Sequence, residues 1–277
     1  MQVTRIEQAD RRGASAHRSG GISFISLLHG LEDTPGNFHL MLVEADNYQA
    51  PQHRHNFDQV RVVLEGAFGY GAGLRQEAGT LGYFPEGTYY TQSSQGRSLT
   101  LLLQAGGASG LGYMSDRQLR AAVTQLQSKG SFAEGVFTWV DATGKKHNQD
   151  GYEAAWEHVR GQKIRYPRPL FEGPVLWRSD RFESLPTAQT GVLRRDFARF
   201  TTRGLGVAEV QLDPHTRWRA GCEDQDVLLC QIAGSAHVDL LELPGRYDSV
   251  HLAAGEYADI TAGAEGARYY EFSLMQR

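Results

Sequence analysis

The chain has 277 residues, of which 40% are hydrophobic and 22% charged, a balance typical of a globular protein long enough for two domains. Its net charge of −4 gives no electrostatic reason to expect a nucleic-acid partner. No apolar run approaches the roughly 20 residues of a membrane span, and the N-terminus lacks the apolar core of a signal peptide. We therefore expect a cytoplasmic protein without a membrane partner.

Short strand-like segments follow one another from residue 21 to about residue 112. They include residues 22–28, 38–43, 60–64 and 98–103. Glycine-bearing turns separate them, as at Glu65-Gly66 and Glu86-Gly87. Many short strands at this spacing predict a β-sandwich or β-barrel.

The pattern then changes to helical periodicity. Residues 116–129 place apolar side chains at helical spacing, with Ser115 as N-cap and Gly130 as a stop. A second amphipathic helix is predicted at 151–160, ahead of Gly161, and residues 166–170 form an extended connector. These elements predict a bridge between two β regions.

Strand patterns return at residues 206–212, 227–232, 237–241 and 268–274. A shift of 168 positions aligns residues 58–66 (DQVRVVLEG) with residues 226–234 (DVLLCQIAG) without a gap. Internal duplication is the economical explanation. Cys222 and Cys230 form no CxxC pair and are interpreted as ordinary buried thiols.

His53 and His55 alternate with Arg54, so on an extended strand both imidazoles point to one face. Two neutral imidazoles close together are natural ligands for a divalent transition metal. The alternative is a surface His-Arg-His segment at a strand end.

This segment resembles the first motif of the cupin superfamily, G-x5-H-x-H-x3-E-x6-G, in which the histidines and the glutamate bind a metal. The matching frame here is Asn47, His53, His55, Gln59 and Gly66. Asn47 tolerates the left-handed turn usually made by glycine. Gln59 replaces the charged glutamate ligand with a neutral amide.

The second motif of that family is G-x5-P-x-G-x2-H-x3-N. Gly79, Pro85 and Gly87 match in frame, whereas Tyr90 stands at the histidine position and Ser94 at the asparagine. The resemblance implies an all-β protein with two tandem jelly-roll barrels. The implied domains are an N-terminal barrel at 1–112, a partly helical bridge at 113–180 and a degenerate C-terminal barrel at 181–277.

The resemblance also implies a site in the N-terminal barrel. Its predicted metal ligands are His53, His55, Gln59, through its carbonyl oxygen, and Tyr90, through a phenol or phenolate oxygen. The metal would be divalent, with iron favoured and zinc, manganese, nickel or copper as alternatives.

Several further side chains are predicted to act on a substrate. Arg61 lies two residues after Gln59 and should share the interior face, where it would need an anionic partner, either a substrate carboxylate or an internal acid. Arg61 and Tyr90 are the predicted catalytic residues, and Arg61, Tyr83 and Gln92 the predicted substrate contacts. Tyr89 also falls in the second-motif region.

The C-terminal barrel should hold no metal, because Gly221, Glu223 and Val227 stand at the ligand positions of the first motif. The other histidines singled out by the pattern are expected to be surface or packing residues, with a lid role as the alternative for the first two: His147, His158, His215, His237 and His251.

Three functions remain open. The first is a dioxygenase-like metal enzyme acting on a small acidic or oxygenated organic molecule. The second is a redox-neutral isomerase, lyase or cyclase. The third is a non-catalytic protein that binds a small molecule. Exposed strand edges of such barrels also predict a homodimer.

Overall fold

The computed structural model describes residues 1–14, 21–107, 109–110, 113–200 and 205–274. Its strands, in chain order, are β1 Gln2–Thr4, β2 Asp10–Gly13, β3 Ile22–His29, β4 Phe38–Asp46, β5 Gln49–His53, β6 Phe57–Glu65, β7 Ala67–Gly71, β8 Leu74–Glu77, β9 Thr80–Phe84, β10 Tyr90–Ser93, β11 Arg97–Gly106, β12 Gly130–Ala133, β13 Val136–Val140, β14 Lys146–Asp150, β15 Val175–Arg178, β16 Leu185–Pro186, β17 Val192–Phe200, β18 Leu205–Leu212, β19 Arg217–Gly221, β20 Val227–Val238, β21 Leu241–Leu243, β22 Ser249–Leu252 and β23 Tyr257–Ser273. The helices are α1 Asp116–Leu126 and α2 Gly151–Arg160. The all-β-dominated fold class is confirmed.

The chain divides into two compact units. The N-terminal unit comprises Arg11–Ile25 and Gly30–Trp177, and the C-terminal unit comprises Met1–Asp10, Ser26–His29 and Arg178–Arg277. Helices α1 and α2 thus lie within the N-terminal unit, and the first ten residues belong to the C-terminal unit. The domain scheme of 1–112, 113–180 and 181–277 stays a prediction.

The barrel of the N-terminal unit is built from two sheets. One has seven strands in the order β15-β9-β6-β11-β4-β3-β2, and the other has four in the order β5-β10-β7-β8. Strand β6 pairs with β11 so that Gln59 lies opposite Gln104 and Arg61 opposite Leu102. Directly paired residues share a face, and Arg61, Leu102 and Gln104 line one internal cavity, so Gln59 and Arg61 point into the barrel. Val60 and Val62 point to the opposite, also buried, face of the sheet.

Helices α1 and α2 form where the periodicity predicts them. The hydroxyl of Ser115 accepts from the backbone N–H of Gln118 in a capping box, and Gly161 ends α2 in the left-handed region with φ 64°. Helix α1 ends at Leu126 rather than at residue 129. A three-stranded sheet, β12-β13-β14, lies between the helices in sequence and was not predicted. Neither helix in the described part of the chain is long and apolar enough to cross a membrane.

The C-terminal unit is a nine-stranded sheet closed around an apolar core. Its long strand β23 pairs with β18, β19 and β20. Strand β1 adds to the edge of this sheet by pairing with β22, and the backbone N–H of Ile6 donates to the Asp248 carboxylate at 2.8 Å. The N-terminal ammonium of Met1 forms an ion pair with Glu256 at 2.7 Å.

The two barrels repeat one another in detail. In the first, the Asp58 carboxylate accepts from the backbone N–H of Glu86 at 2.8 Å and from the Tyr83 hydroxyl at 2.9 Å. In the second, the Asp226 carboxylate accepts from the backbone N–H of Ala254 at 3.0 Å and lies 3.1 Å from Nε2 of His251. The partners stand 28 and 25 residues after the aspartate in both barrels. Both barrels therefore close with the same aspartate-centred bonds, which supports the internal duplication.

Candidate active site

His53 is the last residue of β5, and His55 follows it beyond the strand with its ring beside that of His53. Their ring centroids are 5.1 Å apart with the planes at 74°, and β5 pairs with β10 so that His53 lies opposite Tyr90. Nδ1 of His53 lies 2.8 Å from the carbonyl oxygen of Pro51. A carbonyl only accepts, so Nδ1 carries the proton and the lone pair remains on Nε2, which is buried. In this tautomer the imidazole can bind a metal through Nε2.

The loop that follows β9 holds the backbone of the histidine segment. The N–H of Gly87 donates to the carbonyl oxygen of His55 at 2.8 Å. Gly87 has φ +78°, and a Cβ at this position would lie 2.5 Å from the carbonyl oxygen of Pro167. Glycine is thus required for both the turn and the close approach of the connector.

Tyr90 shares a buried hydrogen-bond network with two side chains of β6. The Gln59 amide donates from Nε2 to the Tyr90 hydroxyl oxygen at 2.7 Å, and Arg61 donates from Nη2 to Oε1 of Gln59 at 2.7 Å. A longer contact of 3.4 Å runs from the same Nη2 to the Tyr90 oxygen. All three side chains are at most 3% exposed. Since arginine has no acceptor, the carbonyl oxygen of Gln59 must be the atom that faces Arg61.

The Arg61 guanidinium also rests against aromatic faces. It lies 4.3 Å from the ring centroid of Phe68 and 5.2 Å from that of Phe84. Such cation–π contacts stabilise a desolvated guanidinium. They fix the position of the positive charge inside the barrel.

An aromatic wall closes the barrel beside His55. Phe57 stacks on the imidazole at a centroid distance of 4.5 Å, and Tyr152 of α2 meets it edge-on at 4.9 Å. The Tyr152 hydroxyl donates to Oδ1 of Asn56 at 2.8 Å, which ties the helix to the histidine segment. Trp156, also on α2, belongs to the same apolar cluster as Phe57 and Tyr152. Helix α2 therefore covers this part of the site, and burial raises the pKa of Tyr152 well above its usual value.

A cavity of about 30 Å³ lies inside the barrel next to Arg61. Its polar lining includes Gln92, Gln104 and Thr100, and its apolar lining includes Phe68. This volume holds about two water molecules by the usual measure. Of the predicted substrate contacts, Arg61 and Gln92 are thus brought to one cavity.

Tyr83 and Tyr89 are not brought to that cavity. Tyr83 pairs with Val60 and points to the opposite face of the sheet from Arg61, where its hydroxyl donates to Asp58. Burial, with the Asp58 charge beside it, raises the pKa of Tyr83. Tyr89 is 54% exposed, and its ring packs against the Arg54 guanidinium at 4.5 Å.

Sequence reasoning missed three residues around the site. Two of them are His39 on β4 and Gln104 on β11. His39 pairs with Gln104, which pairs with Gln59, so these side chains form one interior row across three strands. The third is Tyr152. An apolar helix face signals that a tyrosine is buried, but nothing in the sequence indicates that it meets His55.

The residues present fit a divalent metal with two nitrogen donors and one oxygen donor. His53 and His55 supply the imidazoles, and the ring of Tyr90 lies 4.7 Å from that of His53. Gln59 is engaged by Arg61 through the oxygen that would bind a metal. Within the described ranges, no group of three or more His, Cys, Asp or Glu side chains could hold a metal ion. A third donor would therefore have to be another kind of side chain, water or substrate.

The other histidines singled out from the sequence lie elsewhere. His147 lies 2.7 Å from the Asp141 carboxylate and stacks on Trp139, and His158 lies 2.6 Å from the Gln125 side chain. His215 and His237 are exposed.

The interior of the C-terminal barrel contrasts with that of the first. Val227 stands at the position of Gln59 and belongs to an apolar core with Leu229 and Ala258. After the shift of 168, Leu229 stands at the position of Arg61 and Ala258 at that of Tyr90. The polar network of the first barrel therefore has no counterpart at these three positions.

No family model and no curated protein matches this sequence. Solved structures match it over almost its whole length. A protein from Nostoc punctiforme described as a candidate dioxygenase has a TM-score of 0.64 at 10% identity, covering 99% of this chain and 82% of its own. Streptomyces albus HEPD, with 2-hydroxyethylphosphonate and Fe(II) bound, has a TM-score of 0.60 at 9% identity, covering 99% and 76%. A pirin from Escherichia coli with nickel(II) has a TM-score of 0.56 at 10% identity, covering 100% and 99%.

Proposed function

Because the chain has the two-barrel cupin fold, we propose that its N-terminal barrel is the site of a metal-dependent enzyme, dioxygenase-like, that acts on a small acidic or oxygenated organic molecule. The observation that carries the proposal is the pair of adjacent imidazoles, with the proton of His53 held on Nδ1 by the Pro51 carbonyl. His53 and His55 would hold the metal, which we expect to be iron. When bound, such a metal supplies Lewis-acid and redox chemistry next to the substrate.

Arg61 would bind and orient the acidic group of the substrate. Arg61 is 2% exposed and borders the cavity, and its guanidinium is held by Gln59 and by aromatic faces. A charge fixed in a water-poor interior acts strongly on an anion and needs little reorganisation. Gln92, on the same cavity, offers both a donor and an acceptor to an oxygenated group.

Tyr90 would act either as a metal ligand or as a general acid–base. Its oxygen accepts from Gln59, because the carbonyl of Gln59 already accepts from Arg61. The hydroxyl hydrogen of Tyr90 is therefore available to an acceptor other than Gln59. The aromatic wall of Phe57 and Tyr152 would exclude water from the His55 side of the site.

The decisive experiment is metal analysis of protein purified without a histidine tag. We expect about one iron per chain, and loss of that iron in the double variant His53→Ala/His55→Ala. The matched control, His215→Asn/His237→Ala, removes two exposed histidines and should keep the metal. Oxygen uptake with a panel of small hydroxy and carboxylic acids then tests the dioxygenase assignment.

Two outcomes would replace this function. Zinc or manganese at one per chain, without oxygen uptake, would assign the site to redox-neutral isomerase, lyase or cyclase chemistry. A metal-free protein whose histidines can be replaced without loss of ligand binding would be a binding protein. The cytoplasmic location and the homodimer stay predictions from the sequence, and sedimentation analysis tests the latter.

A further inference from the structure

Gln59 stands where the resemblance places a glutamate ligand, yet its side chain is turned to other partners. Its carbonyl oxygen, the only atom with which a neutral amide binds a hard cation, accepts from Arg61 at 2.7 Å. Its nitrogen donates to the Tyr90 oxygen at 2.7 Å. To bind a metal, Gln59 would have to give up a buried, charge-assisted hydrogen bond for a weak, uncharged contact.

The same bonds fix the Tyr90 oxygen. It receives Nε2 of Gln59 at 2.7 Å and Nη2 of Arg61 at 3.4 Å, and neither nitrogen can accept a hydrogen bond in return. These contacts leave one direction around the oxygen for a proton or a cation. Tyr90 lies opposite His53 in the strand pair, with the rings 4.7 Å apart, and its ring is 6.1 Å from that of His55.

The charges around the Tyr90 oxygen also favour this atom over the Gln59 carbonyl as a metal donor. Arg61 and the amide N–H of Gln59 place positive charge against the Tyr90 oxygen, which complements the charge of an oxygen bound to a metal. By contrast, the carbonyl oxygen of Gln59 accepts a hydrogen bond from Arg61, and this bond competes with metal binding by that oxygen. A neutral glutamine at this position makes sense as a link between Arg61 and Tyr90, because it can accept from one and donate to the other.

We propose that Gln59 and Arg61 are positioning residues that clamp the Tyr90 oxygen, and that Tyr90, rather than Gln59, is the third protein donor to a metal held by His53 and His55. The inference rests on the proposed metal site, but the hydrogen bonds that form the clamp join protein atoms alone. The two parts can therefore be tested separately.

The clamp is tested on metal-free protein by a double-mutant cycle of Gln59→Leu and Tyr90→Phe, measured by urea unfolding. Groups joined by a direct bond should be coupled, so the change in the unfolding equilibrium constant for the double variant should differ by at least about twofold from the product of the single effects. Strictly multiplicative effects would overturn the clamp.

The ligand assignment is tested by the visible absorption of the iron(III)-loaded protein. A phenolate bound to iron(III) gives an intense ligand-to-metal charge-transfer band. We expect this band in the native protein and its loss in Tyr90→Phe, with iron retained by the two histidines. In Gln59→Leu the band should persist and move to longer wavelength, because the oxygen loses a hydrogen-bond donor.

A second tyrosine supplies the matched control. Tyr83 is also fully buried but points to the opposite face of its sheet, so Tyr83→Phe should leave the band in place. A native protein that binds iron without the band, or a band that survives in Tyr90→Phe, would overturn the assignment. Absence of iron binding would overturn both this assignment and the proposed function, and the metal-free cycle would still decide the clamp.

Discussion

The aspartate-centred bonds shared by the two barrels predict a large loss of stability when Asp58 is replaced by alanine. The Asp58 carboxylate is 1% exposed and accepts from the N–H of Glu86 and the hydroxyl of Tyr83. Hydrogen bonds to a charged group contribute roughly 1.5–3 kcal/mol each, so Asp58→Ala should lower the free energy of unfolding by at least about 3 kcal/mol. That is a large share of the roughly 5–15 kcal/mol that holds a domain together.

Two milder variants, Tyr83→Phe and Asp58→Asn, test whether these two hydrogen bonds cause the loss of stability. Tyr83→Phe removes one bond and should cost about half as much. Asp58→Asn can keep both, because the amide oxygen still accepts from Glu86 and the amide nitrogen can donate to the Tyr83 oxygen; its loss should be the smallest of the three. Urea unfolding gives the free energies, and hydrogen exchange at the Glu86 amide reports the bond directly.

Asp226→Ala supplies the comparison in the other barrel. It removes the equivalent bonds to Ala254 and His251 and should weaken the C-terminal unit while leaving exchange at Glu86 unchanged. An Asp58→Ala protein within about 1 kcal/mol of the native one, or with native exchange at Glu86, would refute the reasoning.

Three further predictions concern the N-terminal unit. Burial raises the pKa of Tyr83 and of Tyr152 in the folded protein above the unfolded value near 10. Below about pH 10 these tyrosines should therefore leave the free energy of unfolding unchanged, and above it each should lower that free energy by about 1.4 kcal/mol per pH unit. Urea unfolding measured at pH 9–11 should show a smaller pH dependence in Tyr83→Phe than in the native protein. Gly87→Ala should cost at least about 1–2 kcal/mol in thermal unfolding and weaken metal binding, since φ is +78° and the new Cβ would meet the Pro167 carbonyl. Ser115→Ala should cost about 0.5–2 kcal/mol and speed amide exchange in the first turn of α1; unchanged exchange there would contradict the cap.

Local signals in the sequence were sufficient for the elements and for part of the site. Ser115 and Gly161 marked helix ends because capping chemistry depends on neighbouring residues only. Asn47 adopts φ +47°, as the replacement of a turn glycine requires. The histidine pair was readable because both residues stand in one short motif, although only His53 lies on a strand.

The rest of the site depends on register between distant strands. Tyr83 and Tyr90 are both close to the second motif, but the pairing of β9 with β6 turns Tyr83 away from Gln59 and Arg61. His39 joins the interior row only through β11, more than 60 residues later in the chain. The contact of Tyr152 with His55 depends on how α2 packs, which no local pattern encodes. Non-local pairing therefore decided which of the predicted residues meet.

Because β1 pairs with the edge of the C-terminal sheet, the C-terminal unit is assembled from separate stretches of the sequence. A fragment of residues 178–277 lacks the strand that pairs with β22 and the backbone N–H that Asp248 binds. It should be less stable than the intact unit, and adding a peptide of residues 1–10 should raise its stability, as in fragment complementation.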